Sequence, residues 1–192
     1  MTKAFFIPLI AAGLLAAQAA LGAPAAFDLD PKESVVGFTY YLDGKPTEGQ
    51  MPVSAAALSL DLDNIAASRI DVTLNPGEAK AGFVIATEAL KSASVLDVRD
   101  HPTIRFVARR ITGSLSGAKV SGDLTVRGVT RPVTLTAQLY RQRGTEVGER
   151  DHLAILLTGS LDRMDFGASG YPELVGPQID LRILAQVDRV GG

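Results

Sequence analysis

Apolar and polar side chains alternate at every second position over most of the chain from residue 34 onward. Leu58, Leu60 and Leu62, for example, would face one side, whereas Ser59 and Asp61 would face the other. Successive side chains of a β-strand point to opposite faces of a sheet, so a period of two indicates strands with one buried face. Because 46% of the residues are hydrophobic, such strands can enclose a sizeable core, and the sequence predicts an all-β fold.

Eight segments of this kind are predicted as strands, one of them long and bent. Their approximate spans are 34–42, 46–62, 68–75, 102–112, 115–127, 131–143, 150–162 and 177–189. Most connections between them are short, which favours antiparallel neighbours. Eight such strands can close into a barrel that is just wide enough for side chains or one slender ligand, and pairing of the last strand with the first would remove both exposed edges. An open β-sandwich is the alternative, because it has the same period.

Residues 78–97 interrupt the alternation between the third and the fourth predicted strand. The segments 78–81 and 87–93 contain residues that favour helices. We therefore expect one or two short helices here, the second capped by Thr87 and turning Leu90 toward the core.

The first 25 residues have the three parts of a secretory signal peptide. One basic residue, Lys3, precedes a largely apolar stretch that is shorter than the roughly 20 residues a membrane-spanning helix needs. Small residues follow, and we expect cleavage between Ala19 and Ala25. Residues 26–192 then form one domain, which we expect in the periplasm or outside the cell. An uncleaved membrane anchor is the alternative.

Residue counts disfavour several kinds of chemistry. The chain has no cysteine, so it can form no disulfide bond, thiol nucleophile or cysteine zinc site. A net charge of −2 disfavours nucleic acid binding, which usually needs a basic surface. Two histidines, His101 and His152, provide little material for a metal site. We expect no metal and no catalytic residue; an enzyme for a small hydrophobic substrate, with one histidine as its base, is the alternative.

The inner faces of the predicted strands are apolar, but small residues interrupt them. These residues are Ala108, Gly122, Ala137, Gly159 and Ala185. Small side chains on an inner face leave volume unfilled, which favours a cavity for an apolar ligand. The alternative is a packed core in which Leu90 or Leu96 fills the barrel, because native cores contain few voids.

Several segments resemble a known family, in their order and in their spacing. They are Phe27–Asp30, Ser34–Phe38, Leu90–Val98, His101–Phe106, Gly122–Val133 and Arg163–Gly167. The segment that runs from Gly-Asp-Leu-Thr to Arg-Pro-Val is quite specific. From about Phe27 to Val190, the chain resembles the YceI family of exported lipid-binding proteins.

The resemblance implies an extended, lipocalin-like antiparallel β-barrel with a short helical insert. It also implies an apolar tunnel for a long isoprenoid or another amphiphilic chain, such as a polyprenyl quinone or a polyprenyl phosphate, and no other cofactor. The family has no well-established catalytic residues, so we expect a binding protein and not an enzyme. This chain has Val95-Leu96 where many relatives have two aromatic residues.

Twelve residues are predicted to line the tunnel: Val36, Phe38, Tyr40, Leu60, Phe83, Leu90, Leu96, Phe106, Leu124, Leu157, Phe166 and Ile183. Arg163 and Tyr171, with Tyr40, are predicted to contact a headgroup. The expected function is carriage or storage of an isoprenoid lipid, with transient contact to a membrane or to a membrane redox protein, and with a homodimer as one form. A stress or partner-binding protein with a filled barrel is the alternative.

Overall fold

The computed structural model describes residues 24–191, which form one closed antiparallel sheet with a short helix. The strands are β1 (Ala25–Leu29), β2 (Val35–Leu42), β3 (Lys45–Met51), β4 (Val53–Leu60), β5 (Arg69–Leu74), β6 (Ile104–Ser114), β7 (Gly117–Val126), β8 (Val129–Arg141), β9 (His152–Asp162) and β10 (Val175–Arg189). Helix α1 is Val84–Lys91, and 3₁₀ turns are Ile65–Ala67, Pro76–Glu78 and Arg163–Phe166. Within these residues, no helix has both the length and the apolar character to span a membrane. Except for Pro24 and Ala25, the predicted signal peptide lies outside the described residues.

The sheet closes as a barrel in which two pairs of strands each act as one. β3 and β4 are separated by Pro52 alone and together form the long bent strand that the sequence predicts. β1 and β2 both pair with β10, at opposite halves of its length. Because β1 also pairs with β4, the sheet order returns to its starting point and the barrel has eight sides. The predicted eight-stranded antiparallel barrel is confirmed, and the open sandwich is not formed.

The short strand β1 is absent from the sequence-based prediction. It has five residues, and it begins at Ala25, inside the segment that the sequence assigns to the signal peptide. Its pairing is decided by distant partners, since Phe27 lies opposite Leu58 on one side and Arg189 on the other. A segment this short carries too few alternations to stand out as a strand.

One end of the barrel, which we call the closed end, is filled by a tight apolar cluster. Phe27, Leu60, Leu153 and Val187 form it, and each is at most 7% exposed. The guanidinium of Arg189 lies 5.5 Å from the centre of the Phe27 ring, in the geometry of a cation–π contact. Large side chains from four strands therefore seal this end against water.

The opposite end, which we call the mouth, is covered by two segments outside the sheet. One is the insert between β5 and β6 that contains α1, as the sequence predicts. The helix begins earlier than expected: Phe83 is its N-cap, and Thr87 lies inside it, where the Thr87 hydroxyl accepts a hydrogen bond from the Ala81 amide. The other segment is residues 163–174, whose Phe166 packs with Leu96 in a buried cluster. None of the residues of α1 itself is buried.

The outer wall near the closed end carries a polar contact that responds to pH. Nδ1 of His152 lies 2.8 Å from Oδ1 of Asp188, which also accepts a hydrogen bond from Gln142. The hydrogen bond to Asp188 raises the pKa of His152 above its ordinary value of 6.5. A raised pKa means that the folded state binds this proton more tightly than the unfolded state does.

We expect His152→Gln to lower the melting temperature slightly near pH 5.5 and hardly at all near pH 8. The contribution of the charged pair is fully present below the pKa of the unfolded histidine, about 6.5, and it is lost as pH rises through the raised folded value. The effect is small because both side chains are about half exposed. Melting curves of both proteins across this range test the expectation, and a difference that grows with pH contradicts it.

Candidate functional site: an apolar cavity in the barrel

The barrel encloses a cavity of about 930 Å³ between the closed end and the mouth. Its wall comes from the inner faces of the strands, and its cover comes from α1 and from residues 163–175. A volume this large exceeds any packing defect of an ordinary core. The barrel is therefore not filled by the insert: Leu90 lines the cavity, and Leu96 packs beside Phe166 at the mouth.

All twelve residues that the sequence predicts as tunnel lining do line this cavity. The periodicity places them there, since Val36, Phe38 and Tyr40 are successive inward positions of β2. Phe83, Leu90 and Leu96 also line the cavity, but they belong to the insert, to which strand alternation does not apply. The remaining six are Leu60, Phe106, Leu124, Leu157, Phe166 and Ile183. That these residues contact a ligand stays a prediction.

Other lining residues are missing from the predicted set. Some belong to the alternating inner faces and could have been found by the same period, for example Ile70, Leu135 and Leu181. Val84, Ile85 and Leu174 could not, because they lie in segments without strand periodicity. These three are also exposed to solvent, and so the sequence pattern offers no sign that they border a cavity.

The small inner residues contribute less to the cavity than expected. Ala137 and Ala185 line it, but Ala108, Gly122 and Gly159 do not. A Cβ at Gly122 would lie 2.7 Å from Cζ of Phe106, and one at Gly159 would lie 2.7 Å from Cδ2 of Leu135. Neighbouring side chains therefore occupy the space above both glycines. The empty volume comes from the breadth of the barrel and not from glycine positions.

Arg163 lines the cavity, but its guanidinium is bound to the protein backbone. Nε donates to the carbonyl of Gly176 at 2.9 Å, Nη2 donates to that of Val175 at 2.7 Å, and Nη1 donates to those of Ala168 and Gly170. The residue is 6% exposed, and burial lowers the pKa of the guanidinium. Arg163 therefore has a structural role, because it fastens the loop that covers the mouth, and its contact with a headgroup stays a prediction.

The two tyrosines that were considered for headgroup contact differ in their surroundings. The Tyr40 hydroxyl donates to the Ala81 carbonyl at 3.0 Å, and burial raises the pKa of this phenol. Tyr171 stands at the mouth, 45% exposed, with a backbone φ of 56° that few non-glycine residues adopt. Tyr40 thus joins β2 to the insert, whereas Tyr171 is free to meet a ligand entering the mouth.

Neither histidine lies on the cavity wall. His101 sits beside Gly128 in the turn between β7 and β8, and His152 pairs with Asp188 on the outer wall. Among residues 24–191, no group of three or more His, Asp or Glu side chains is placed to hold a metal ion. Among the described residues, the ionisable side chains that line the cavity are those of Tyr40, Glu88, Arg163 and Tyr171.

Sequence comparison gives a family and several relatives. The model of the YceI-like domain matches residues 27–187. A UPF0312 protein of Pectobacterium carotovorum subsp. carotovorum is 29% identical over 144 residues, which cover 74% of this chain and 75% of the relative. A UPF0312 protein of Pseudomonas putida is 33% identical over 119 residues, which cover 61% of this chain and 60% of the relative.

Solved structures share the fold at low sequence identity. Burkholderia cenocepacia BcnA aligns with a TM-score of 0.72 at 17% identity, covering 83% of this chain and 99% of that protein. A polyisoprenoid binding domain from Saccharophagus degradans aligns with a TM-score of 0.61 at 10% identity, covering 86% and 99%. The family match spans the strands and the insert that build the cavity, and this chain therefore belongs to the YceI-like domain family.

Proposed function

We propose that the protein holds one long apolar chain, an isoprenoid lipid, in the barrel cavity for carriage or storage. The observation that carries the proposal is an apolar cavity of about 930 Å³ that is sealed at one end and borders solvent at the other. This volume is at the upper end of the 300–1,000 Å³ that is usual for small-molecule sites. A cavity wall made mainly of aliphatic and aromatic side chains favours a hydrocarbon, because burial gains roughly 25 cal/mol per Å² of apolar surface.

The fold relationship supports the same class of ligand. One structural neighbour is described as a polyisoprenoid binding domain. Its likeness to this chain lies in the fold, at 10% identity, so the support concerns the architecture and not individual contacts. We propose accordingly that the protein acts by binding and not by catalysis, and that it does so after export through the predicted signal peptide. That the protein forms a homodimer, and that it contacts a membrane redox protein, stay predictions.

We propose further that the headgroup is uncharged, as in a polyprenyl quinone, in preference to a polyprenyl phosphate. A phosphate in an apolar site needs cationic partners, because burying an unpaired charge is costly. Among the described residues that line the cavity, the cation is Arg163, and four of its five N–H groups already donate to backbone carbonyls. Glu88, at the mouth, is acidic and would repel an anion. Tyr171 can donate to or accept from a neutral oxygen.

Mass spectrometry of an organic extract from the natively exported protein tests the proposal. We expect a stoichiometric prenyl chain with a neutral headgroup. A clean extract, together with failure to take up added polyprenyl quinone, contradicts the proposal and favours a protein partner. Recovery of a polyprenyl phosphate supports the carriage of an isoprenoid but contradicts the preference for a neutral headgroup.

Filling the cavity should abolish uptake without unfolding the barrel. Ala185→Phe places a ring in empty space next to Ile183 on the inner face of β10, and we expect more than about tenfold weaker binding of polyprenyl quinone. The matched control is Leu184→Phe, one residue away on the outer face, which should bind as the original protein does. Circular dichroism checks the fold of both. Equal binding by the two variants contradicts the location of the ligand.

A further inference from the structure

The mouth is bordered by large apolar side chains that face solvent. We call Phe83, Val84, Ile85, Tyr171 and Leu174 the mouth rim. Val84 and Ile85 are each 78% exposed, and the other three are between 45% and 52% exposed. All five also line the cavity, so at these residues the apolar wall of the barrel continues outward onto the surface.

The stability of the fold does not explain why the rim residues are apolar. Val84 and Ile85 form the first turn of α1, in which no residue is buried. Polar residues at these two positions would serve an exposed helix better, because side chains at 78% exposure contribute little apolar burial. Phe83 is the N-cap residue, yet it makes no side-chain capping bond. The rim thus combines poor local choices for a helix with a continuous apolar path into the cavity.

The two segments of the rim belong to one end of the barrel. The Gly170 amide donates to the Ser94 carbonyl at 2.8 Å, which ties the loop before Tyr171 to the residues after α1. The Asp43 amide donates to the Leu174 carbonyl at 2.7 Å, which ties the same loop to the turn between β2 and β3. The rim residues are therefore held together by short backbone contacts around the mouth.

We propose that the mouth rim docks onto the surface of a lipid bilayer. The inference rests on the proposed function, because a long apolar chain resides in a membrane and crosses water only at a high cost in exposed surface. A rim that buries Val84 and Ile85 among acyl chains aligns the cavity with the bilayer. The lipid then moves from one apolar environment into the other without passing through water.

The charges around the rim indicate how the docking is driven. Near the rim segments in sequence, Lys80 and Lys91 are basic, and Glu88 and Glu173 are acidic. The turn that binds the Leu174 carbonyl adds one charge of each sign, Asp43 and Lys45. Because the two signs balance, anionic lipid gains no net attraction from this surface. Apolar burial is left as the driving force, so docking should not require anionic lipid and should persist at high salt.

The first experiment uses Ile85→Trp as a fluorescent reporter, since the chain contains no tryptophan of its own. We expect a blue shift of its emission on addition of phosphatidylcholine vesicles, at low and at high salt alike. The matched control is Val147→Trp, at a position that is 92% exposed and outside the rim, which should show no shift. A shift that is equal at both positions, or absent at Ile85, overturns the proposal.

The second experiment measures co-sedimentation with the same vesicles. Replacing Val84 and Ile85 together by serine should weaken vesicle association about tenfold or more, whereas Val147→Ser should leave it unchanged. Circular dichroism verifies that each variant is folded. Full association of the double variant, or association that appears only with added phosphatidylglycerol and vanishes at high salt, overturns docking by the apolar rim.

The cavity variant separates this inference from the proposed function. Ala185→Phe alters the interior and leaves the rim as it is, so it should fail to take up polyprenyl quinone but associate with vesicles normally. Loss of vesicle association by this variant means that a captured lipid, and not the rim, causes the association, which overturns the inference. If the original protein associates normally with vesicles but its organic extract contains no lipid, docking by the rim is supported and the proposed cargo is contradicted.

Discussion

Replacing Arg163 by methionine should destabilise the protein by about 3–5 kcal/mol, although Arg163 lies outside every strand. Methionine matches the aliphatic part of arginine but donates no hydrogen bond, so four carbonyls that now accept from the guanidinium lose their partner. An unsatisfied buried acceptor costs about 1–3 kcal/mol, and the sum is reduced where water enters from the mouth. In a chain of this size, the melting temperature should fall by about 10 °C or more.

Two further variants give the Arg163 prediction a sharp test. Arg163→Lys keeps the charge but cannot reproduce the planar fork that reaches carbonyls on both sides of the loop, and it should lose an intermediate amount of stability. Arg99→Met removes an arginine whose side chain is 87% exposed, and it should change stability little. If Arg163→Met melts close to the original protein, this side chain does not fasten the loop, and the predicted headgroup contact is left as the explanation for an arginine on the cavity wall.

Phe106→Asp is expected to have an effect of similar size and to abolish ligand binding as well. Phe106 faces the cavity from β6, and its ring covers Gly122 of β7. Removing the ring from this packing costs about 3–5 kcal/mol, as for other large-to-small changes of aromatic residues. A carboxylate at this position also faces an apolar wall without a cationic partner. Water drawn in to solvate the carboxylate competes with any hydrocarbon in the cavity.

Denaturant unfolding and uptake of polyprenyl quinone measure the two consequences of Phe106→Asp separately. Phe106→Leu should retain most of the stability and bind quinone, because it keeps an apolar side chain at the same place. Tyr140→Asp introduces the same charge at an outward position that is 50% exposed. It should lower neither the stability nor the binding of quinone. Retained stability together with retained binding in Phe106→Asp would show that this strand does not face a ligand.

The alternation of side chains contained most of the information needed to predict the barrel. Each of the eight predicted segments corresponds to strands of the structure, and the long bent segment 46–62 is bent at Pro52. The inward face of each strand follows directly, because shifting a strand by one residue would turn its apolar side chains to solvent. That is why Val36, Phe106 and Ile183 could be assigned to the cavity wall from the sequence alone.

The start of helix α1 was harder to predict, because the residue with the best N-cap propensity is not the residue at which the helix begins. Thr87 is a favourable N-cap by composition, yet the helix begins after Phe83. The hydroxyl of Thr87 is used instead to accept from Ala81, in the chain leading to the helix. Tertiary contacts at the mouth override the local preference, which at a single cap amounts to about 1 kcal/mol.

Arg163 shows a second limit of reasoning from sequence. A lone basic residue beside a tunnel mouth looks like a partner for a headgroup, and its backbone acceptors at residues 168–176 give no signal in the sequence. The motif Arg163–Gly167 is explained by these contacts: Asp162 caps the 3₁₀ turn, Phe166 is 2% exposed in the core, and Gly167 ends the turn in the left-handed conformation. The motif builds the cover of the cavity.

The sequence by itself determined the class of fold, the number of sides of the barrel and the face that each strand turns inward, because these depend on a period of two that any stretch of chain displays locally. Whether the enclosed volume is empty, which carbonyls Arg163 binds and which exposed apolar residues border the mouth were decided by the tertiary structure. Each of these depends on distances between segments that are separated in the chain, such as Leu135 of β8 above Gly159 of β9, or the loop carrying Tyr171 against the residues after α1. Packing sets such distances, and no local pattern contains them.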